Sequence, residues 1–320
     1  MKAIIVAEFG EPEVLKYEET ADLEPNENQI LIKVKAAGIN PVDTYIRSGT
    51  HAQKPELPYT PGKDAAGIVE KVGENISKFS VGDRVLTTGS ITGTYAEFCL
   101  CEDNQLIELP ENVSFAQGAG VFVPYATAYR ALFQKAKVQS GEMLLVHGAS
   151  GGVGIAVIQW AKNAGLKVIG TASSEEGKKL VKEQGADFVF DHSEANYFEE
   201  IKEATDGNGV DIILEMLANE NLVKDFEVLA MFGRITVIGN RGSLDFNPRL
   251  VMGKDASIFG MSLFNAPEND MNEIYKAIYK GLNAGFLNPI VGKSFPLSDA
   301  ENAHHAVIHQ KAFGKIVLIP

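Results

Sequence analysis

Short apolar runs broken by glycine, proline and asparagine fill the first part of the chain. Ile30-Leu31-Ile32-Lys33-Val34-Lys35-Ala36 alternates in part and ends near Gly38. Ala65 to Val72 is another such run, stopped by Gly73, and Val81 to Leu86 follows with a turn signal inside it. This punctuation predicts a compact β domain reaching to about residue 120. The apolar run near the N-terminus halts at Glu8 and reads as a strand, not as a signal peptide.

Beyond that point the period changes. Met143 to His147 is a brief apolar run, followed by glycines and a helix-like stretch from Val153 to Ala164. Lys167 to Ala172, a helix-like Glu175 to Gln184, and Phe188 to Phe190 come next. Further runs are Val210 to Leu214, Arg234 to Gly239 and Ser257 to Met261. Strands alternating with helices imply βαβ units and a doubly wound parallel sheet, and near-continuous apolar runs fit strands buried on both faces. Asn269 to Gly285 reads as a helix with Ile274, Ala277, Ile278 and Leu282 on one face. Leu287 to Pro320 is strand-rich again, most clearly at Gly314 to Ile319. A βαβ domain inserted within a β domain accounts for this order.

The 320 residues, 45% of them hydrophobic, suffice for two modest cores. No run approaches the length of a membrane span. A net charge of −13 repels phosphate backbones and disfavours nucleic acid as a partner. Cys99 and Cys101, two apart on a strand, share one face. That spacing favours neither a disulfide nor a zinc knuckle, and fits a reducing, cytoplasmic compartment.

The candidate chemistry begins at His147-Gly148-Ala149-Ser150-Gly151-Gly152-Val153-Gly154, which closes a strand and opens a helix. A dinucleotide's pyrophosphate needs small residues there, so that the backbone approaches closely and the helix N-terminus presents free N–H groups. Gly151 and Gly154 hold the second and third glycine positions of the fingerprint; Ala149 replaces the first. An acid at the end of the next strand would favour NAD. Ser173 and Ser174 stand there instead, with Lys178 and His192 as sources of positive charge and Glu175 and Glu176 opposing them. The balance points to NADPH.

Several segments together resemble the zinc-free quinone oxidoreductases (zeta-crystallin-like) of the medium-chain dehydrogenase/reductase superfamily. They are Gly38 to Gly49, Pro61 to Gly67, His147 to Gly154, Ile213 to Asn219 and Gly239 to Gly242. The resemblance implies an α/β chain with a GroES-like β-rich catalytic domain from residues 1–122 and 286–320, around a Rossmann NADPH-binding domain at 123–285. It also implies cofactor contacts at Tyr45, Thr127, Ser150, Gly151, Gly152, Val153, Ser173, Lys178, His192 and Asn221. Ile238, Gly239, Asn240, Arg241, Met261, Ser262 and Leu263 complete that set, and Thr127 is placed behind the nicotinamide ring.

Zinc enzymes of the superfamily place a cysteine near Asn40-Pro41-Val42-Asp43 and a histidine where Gly62-Lys63-Asp64 stands, so no metal is expected. His304, His305 and His309 include an i, i+4 pair. The resemblance sets them on a late surface helix with no carboxylate pattern around them. Reduction of a quinone or other conjugated carbonyl is the implied activity, with Asn40, Tyr45 and Arg47 as candidate donors to the acceptor oxygen and Thr127 grouped with them as catalytic. A 2-alkenal or enone reductase, or a non-catalytic NADPH-binding protein of crystallin-like or RNA-binding kind, is the alternative. A homodimer is implied through pairing of the strand near Ser257 to Phe264, with a tetramer as the larger possibility.

Overall fold

The structure, a computed structural model, describes residues 1–311 and 313–320. In chain order the strands are β1 Lys2–Val6, β2 Leu15–Glu19, β3 Ile30–Ile39, β4 Asp64–Val72, β5 Arg84–Thr87, β6 Phe98–Cys101, β7 Leu106–Glu108, β8 Met143–Val146, β9 Lys167–Thr171, β10 Phe188–Phe190, β11 Val210–Glu215, β12 Leu229–Val237, β13 Ser257–Gly260, β14 Val291–Pro296 and β15 Lys315–Ile319. The helices are α1 Pro41–Arg47, α2 Phe115–Gly118, α3 Phe122–Tyr129, α4 Gly152–Asn163, α5 Glu175–Glu183, α6 Tyr197–Ala204, α7 Ala218–Asp225, α8 Arg249–Lys254, α9 Glu268–Asn283 and α10 Ala300–His309. None of these helices is long and apolar enough to cross a membrane.

Two compact units result, one from Met1–Val123 and Tyr279–Pro320, the other from Pro124–Ile278. The first is built on a seven-stranded sheet ordered β14-β15-β3-β4-β5-β7, with β6 also paired to β3. β3 is its central strand. It is buried along most of its length and pairs antiparallel with β4, β6 and β15. Ile30, Ile32, Val34, Ile39, Val69, Cys99, Cys101, Ile316 and Leu318 form its core. Gly38 lets β3 approach its neighbours: a Cβ there would lie 2.0 Å from the Ala119 carbonyl oxygen and 2.8 Å from Lys315 Cε. Both cysteines are free and buried. The strand expected from Val81 begins only at Arg84, because Gly82 adopts φ +96° and Asp83 caps the turn by accepting from the Ser80 N–H at 2.8 Å.

The second unit is the doubly wound fold that the sequence pattern predicts. Six strands, all parallel, run β10-β9-β8-β11-β12-β13. Leu144, Leu145, Val168, Ile169, Ile212, Ile213 and Ile235 are fully buried, as expected for strands covered on both faces. The strand order reverses between β8 and β11, and in open parallel sheets ligands bind beyond the carboxyl ends of the strands at such a switch point. β12 starts at Leu229, five residues before the apolar run at Arg234, because Val210 of β11 pairs with Leu229 across an irregularity in register.

Candidate cofactor and catalytic sites

In the parallel-sheet unit, β8 ends at Val146 and the chain turns through Gly148, which sits at φ +59° with open space where a Cβ would be. Gly151 is the N-cap of α4, and no acid lies in the first turn of that helix. The first turn of a helix leaves N–H groups without intrahelical partners, so its positive end faces a half-exposed loop. A Cβ on Gly154 would lie 2.6 Å from Ala149 Cα, so only glycine lets α4 pack this close to the loop. Ala149 fits at the first fingerprint position because Gly170 faces it; a Cβ there would come within 3.0 Å of the Ala149 methyl. These features fit a pyrophosphate.

Beyond β9, Ser174 caps α5 by accepting from the Gly177 N–H at 3.3 Å, which leaves Ser173 as the half-buried residue next to the strand end. Lys178 lies 2.5 Å from Glu175 and 3.5 Å from Asp191, and the hydrogen bond to Glu175 is the main cause of its raised pKa. Its charge is thus balanced by two acids. His192, next to Asp191, is exposed. At the ends of β11 and β12, the Asn221 amide donates to Glu215 Oε1 at 3.2 Å, and the Ala218 N–H donates to the Gly239 carbonyl at 3.0 Å. The Arg241 N–H donates to Asn219 Oδ1 at 2.9 Å. Ile238 and Gly239 are half-buried, while Asn240 and Arg241 are exposed. After β13, Met261 and Leu263 are buried and Ser262 is exposed. The candidate cofactor residues from Ser150 to Val153, and those after β9, β11, β12 and β13, therefore all follow carboxyl ends of one parallel sheet. Thr127 is buried on α3.

In the other unit, the segment that opens α1 is tied into a buried polar network. Asn40 donates through Nδ2 to Asp64 Oδ2 at 3.0 Å. The Lys315 ammonium donates to Asn40 Oδ1 at 2.5 Å and to Asp64 Oδ2 at 2.8 Å. The Val123 N–H reaches Asp64 Oδ1 at 3.2 Å. Asp64 and Lys315 are 0% and 4% exposed, so this is an ion pair shut away from water. A second chain of contacts adjoins it: Asp43 accepts from the Asn40 N–H at 2.8 Å and from the Tyr95 hydroxyl at 3.2 Å. His304 Nε2 lies 3.3 Å from that hydroxyl and His304 Nδ1 lies 3.3 Å from Arg47 Nη1. Burial pushes the Asp43 carboxyl up to about 6, while burial and then the Arg47 charge push His304 down to about 3.

The network changes the reading of several residues. Both functional atoms of the Asn40 side chain are engaged by Asp64 and Lys315. Arg47 is buried and donates to the Gly10 carbonyl at 3.1 Å, which makes it a structural residue. His304, expected on a surface, is 0% exposed and faces inward with Ala300 and Ala303. The histidines also have carboxylates beside them after all: His305 Nε2 lies 3.9 Å from Glu13 Oε1, and Glu301 completes that surface group. Tyr45, half-buried on α1, has a hydroxyl with no hydrogen bond among the described residues, and its carbonyl accepts from Thr50 and His51. Asp43, Asp64, Tyr95 and Lys315 were not singled out from sequence. Asp64 and Lys315 are 251 residues apart, and no local pattern links them.

A zinc ion does not fit this donor set. The segments Asn40-Pro41-Val42-Asp43 and Gly62-Lys63-Asp64, which the resemblance sets at the superfamily's zinc ligands, hold no cysteine or histidine, and Asp64 is already neutralised by an ammonium group. Catalytic zinc needs three sulfur, imidazole or carboxylate ligands.

Residues 26–111 match the family described as "Alcohol dehydrogenase GroES-like domain", and residues 152–280 the one described as "Zinc-binding dehydrogenase". The chain is 50% identical to the quinone oxidoreductase of Rattus norvegicus and 49% identical to that of Homo sapiens, in each case over 100% of this chain and 98% of the relative. A solved structure of Escherichia coli quinone oxidoreductase complexed with NADPH superposes with a TM-score of 0.89 at 31% identity, covering 100% of both chains.

Proposed function

The chain belongs to the quinone oxidoreductase family of medium-chain dehydrogenases/reductases, and on that premise we propose that it reduces quinones with NADPH, without zinc. The observation that carries the reading is the glycine-lined turn and open α4 N-terminus at the switch point of the parallel sheet, in a chain whose superfamily zinc position holds the Asn40–Asp64–Lys315 cluster. Bound NADPH supplies the hydride. The protein's work is then to hold, orient and exclude water.

Gly152 and Val153 would present N–H groups to the pyrophosphate, with Ser150 and Gly151 beside them; the Gly151 N–H is held in the turn by the Gly148 carbonyl at 3.2 Å. Ser173 leaves room for the 2′-phosphate, while Lys178 and His192 stand nearby on the same side of the sheet. Asn221, Ile238 to Arg241 and Met261 to Leu263 line the nicotinamide end, with Thr127 behind the ring. On the catalytic unit, the Tyr45 hydroxyl is free to donate to the acceptor oxygen as negative charge develops there. Asn40 fixes the start of α1 and so positions Tyr45. The acceptor leaves as a hydroquinone once it has gained the hydride and a proton.

We also infer a homodimer and a cytoplasmic setting. β13 is an edge strand with open hydrogen-bonding groups, and Met231 and Phe232 on the neighbouring β12 are 55% and 70% exposed, which supports pairing between copies. Two buried thiols suit a reducing compartment. The test of function is NADPH oxidation by purified, chelator-treated protein across ortho-quinones, para-quinones and 2-alkenals, with NADH as control. Quinone turnover preferring NADPH supports the reading. Turnover with alkenals alone replaces the substrate class, and NADPH binding without turnover moves the protein to a non-catalytic role.

A further inference from the structure

Beneath the phosphate loop lies a second cluster of ionisable groups that the proposed chemistry does not use. His147, at the end of β8, is 3% exposed; Glu215, the last residue of β11, and Asp225, the last of α7, are both 0% exposed. His147 Nε2 lies 2.8 Å from Asp225 Oδ1 and 3.5 Å from Glu215 Oε2. Glu215 Oε1 accepts from the Leu217 N–H at 2.5 Å and from the Asn221 amide at 3.2 Å. The Glu215 carbonyl accepts from the N–H groups of Ile238 and Gly239 at 2.8 and 3.2 Å. One residue therefore ties together the loops after β11 and β12, and through His147 it adjoins the loop after β8.

Two oxygens in this cluster, Glu215 Oε2 and Asp225 Oδ2, are buried with no hydrogen-bond partner. Glu215 and Asp225 each offer a carboxylate oxygen within 4.8 Å of the other; a proton on Glu215 supplies a missing donor and removes one of the two buried charges. The other ionisable groups near Glu215 are His147 from β8, Asp225 from α7 and Tyr197 from α6, with Glu227 also acting on Tyr197. Among the described residues, neither carboxylate pairs with a lysine or arginine. Burial and the Asp225 charge push Glu215 up to about 7, against the lowering effect of His147. Burial alone would lower His147, but the bond to Asp225 and the charges of both acids outweigh it and raise it.

We propose that His147, Glu215 and Asp225 are positioning residues for the cofactor loops, held together while Glu215 carries a proton, and that losing this proton weakens NADPH binding. With His147 charged and Glu215 protonated, the cluster is neutral. Removing the Glu215 proton leaves a net negative charge under the loop that receives an anionic pyrophosphate, and sets two carboxylates against each other beneath the loops. The short contact between His147 and Asp225 is that of a hydrogen bond rather than of two ligands flanking a metal ion. The proposal rests on the NADPH reading above, so its test includes an arm without cofactor.

That arm follows thermal unfolding against pH, and the infrared signature of a protonated carboxyl group, for wild type and Glu215→Gln. Wild type is expected to show a protonated carboxyl that disappears as pH rises through about 7, with stability that falls between 4.5 and about 7 and levels off above. Glu215→Gln should lose the protonated carboxyl and keep only the weaker fall in stability that the raised His147 contributes. The second arm measures the NADPH dissociation constant from pH 6 to 8.5. Wild type should weaken roughly tenfold relative to Glu215→Gln, whose own profile retains only the titration of the cofactor phosphate, and Glu215→Ala should bind weakly throughout. Parallel pH profiles for wild type and Glu215→Gln, no protonated carboxyl in wild type, or a tightly held divalent metal at one per chain would each overturn the proposal. If the first arm behaves as expected but no NADPH binds at any pH, the functional reading fails while the proton on Glu215 stands.

Discussion

Replacing Lys315 with methionine tests the buried ion pair directly. Methionine keeps an unbranched apolar chain in the slot bounded by Gly38 and Gly120, whose hypothetical Cβ atoms would lie 2.8 and 3.3 Å from the lysine stem. It removes only the ammonium group. Asp64, 0% exposed, then keeps two neutral donors, Asn40 Nδ2 at 3.0 Å and the Val123 N–H at 3.2 Å, in place of a cation at 2.8 Å. Breaking a buried pair by removing one partner costs about 3–5 kcal/mol, and the two surviving donors favour the lower figure. For a unit of this size, about 3 kcal/mol corresponds to a fall of roughly 6–12 °C in melting temperature. Calorimetry is the appropriate assay because two units need not melt in one transition. The double variant Lys315→Met with Asp64→Asn removes both charges and should recover most of the loss, since it leaves no stranded carboxylate. A single variant melting within 2 °C of wild type (at most about 1 kcal/mol by the same scale) would refute the assignment of Lys315 as the counter-charge of Asp64.

Gly154→Ala places a methyl group 2.6 Å from Ala149 Cα, and the loop must move to accept it; NADPH should bind roughly tenfold weaker or worse, about 1.4 kcal/mol, by fluorescence titration, and wild-type affinity would remove the loop from the cofactor site. Tyr45→Phe should lower kcat/KM roughly tenfold, the worth of one hydrogen bond to developing charge, and an unchanged value would end that role. His304 is depressed to about 3 from an ordinary value near 6.5, so its neutral form contributes stability present above pH 6.5 and lost as pH falls toward 3. Asp43, raised to about 6, contributes in the opposite sense, gaining as pH falls from 6 toward 3.8. Thermal melts of His304→Gln from pH 7.5 to 4 should therefore rise relative to wild type as the medium is acidified, and parallel curves would rule out titration of His304.

The fold was legible where burial leaves a local trace. Strands covered on both faces read as apolar runs, as β8, β9 and β11 do, whereas the edge strand β13 is apolar in sequence but only half-buried. β12 was found only from Arg234, because Met231 and Phe232 before it are exposed and the residues ahead of them show no clean period. Val81 reads as a strand start because apolar content cannot report the positive φ of Gly82. The glycine turn after β8 is legible because the close packing of Gly154 on Ala149 requires small residues in sequence. The polar network was not, since Asn40, Asp64 and Lys315 meet only through pairing of β3 with β4 and β15. His304 was misplaced for a related reason: its helix turns Ala300, Ala303 and Ala306 inward, and a stripe of alanines marks a buried face only weakly.

The two units bury charge by different means, and the difference has consequences. In the catalytic unit the counter-charge of Asp64 is Lys315, covalently part of the chain and placed by the antiparallel pairing of β15 with β3. Nothing has to be recruited from solvent, and the start of α1 is fixed whatever the state of the cofactor site. In the parallel-sheet unit, no lysine or arginine pairs with Glu215 among the described residues, and burial raises it to about 7. A rise in pH from 6 to 8.5 should thus leave the Asn40–Asp64–Lys315 cluster intact while loosening the loops around Leu217, Asn221 and Gly239. The expected signature is a loss of NADPH affinity without an equal loss in the melting of the unit that contains Tyr45. Calorimetry that shows the Lys315-sensitive transition falling in step with the Glu215-sensitive one would mean that the two clusters do not act independently.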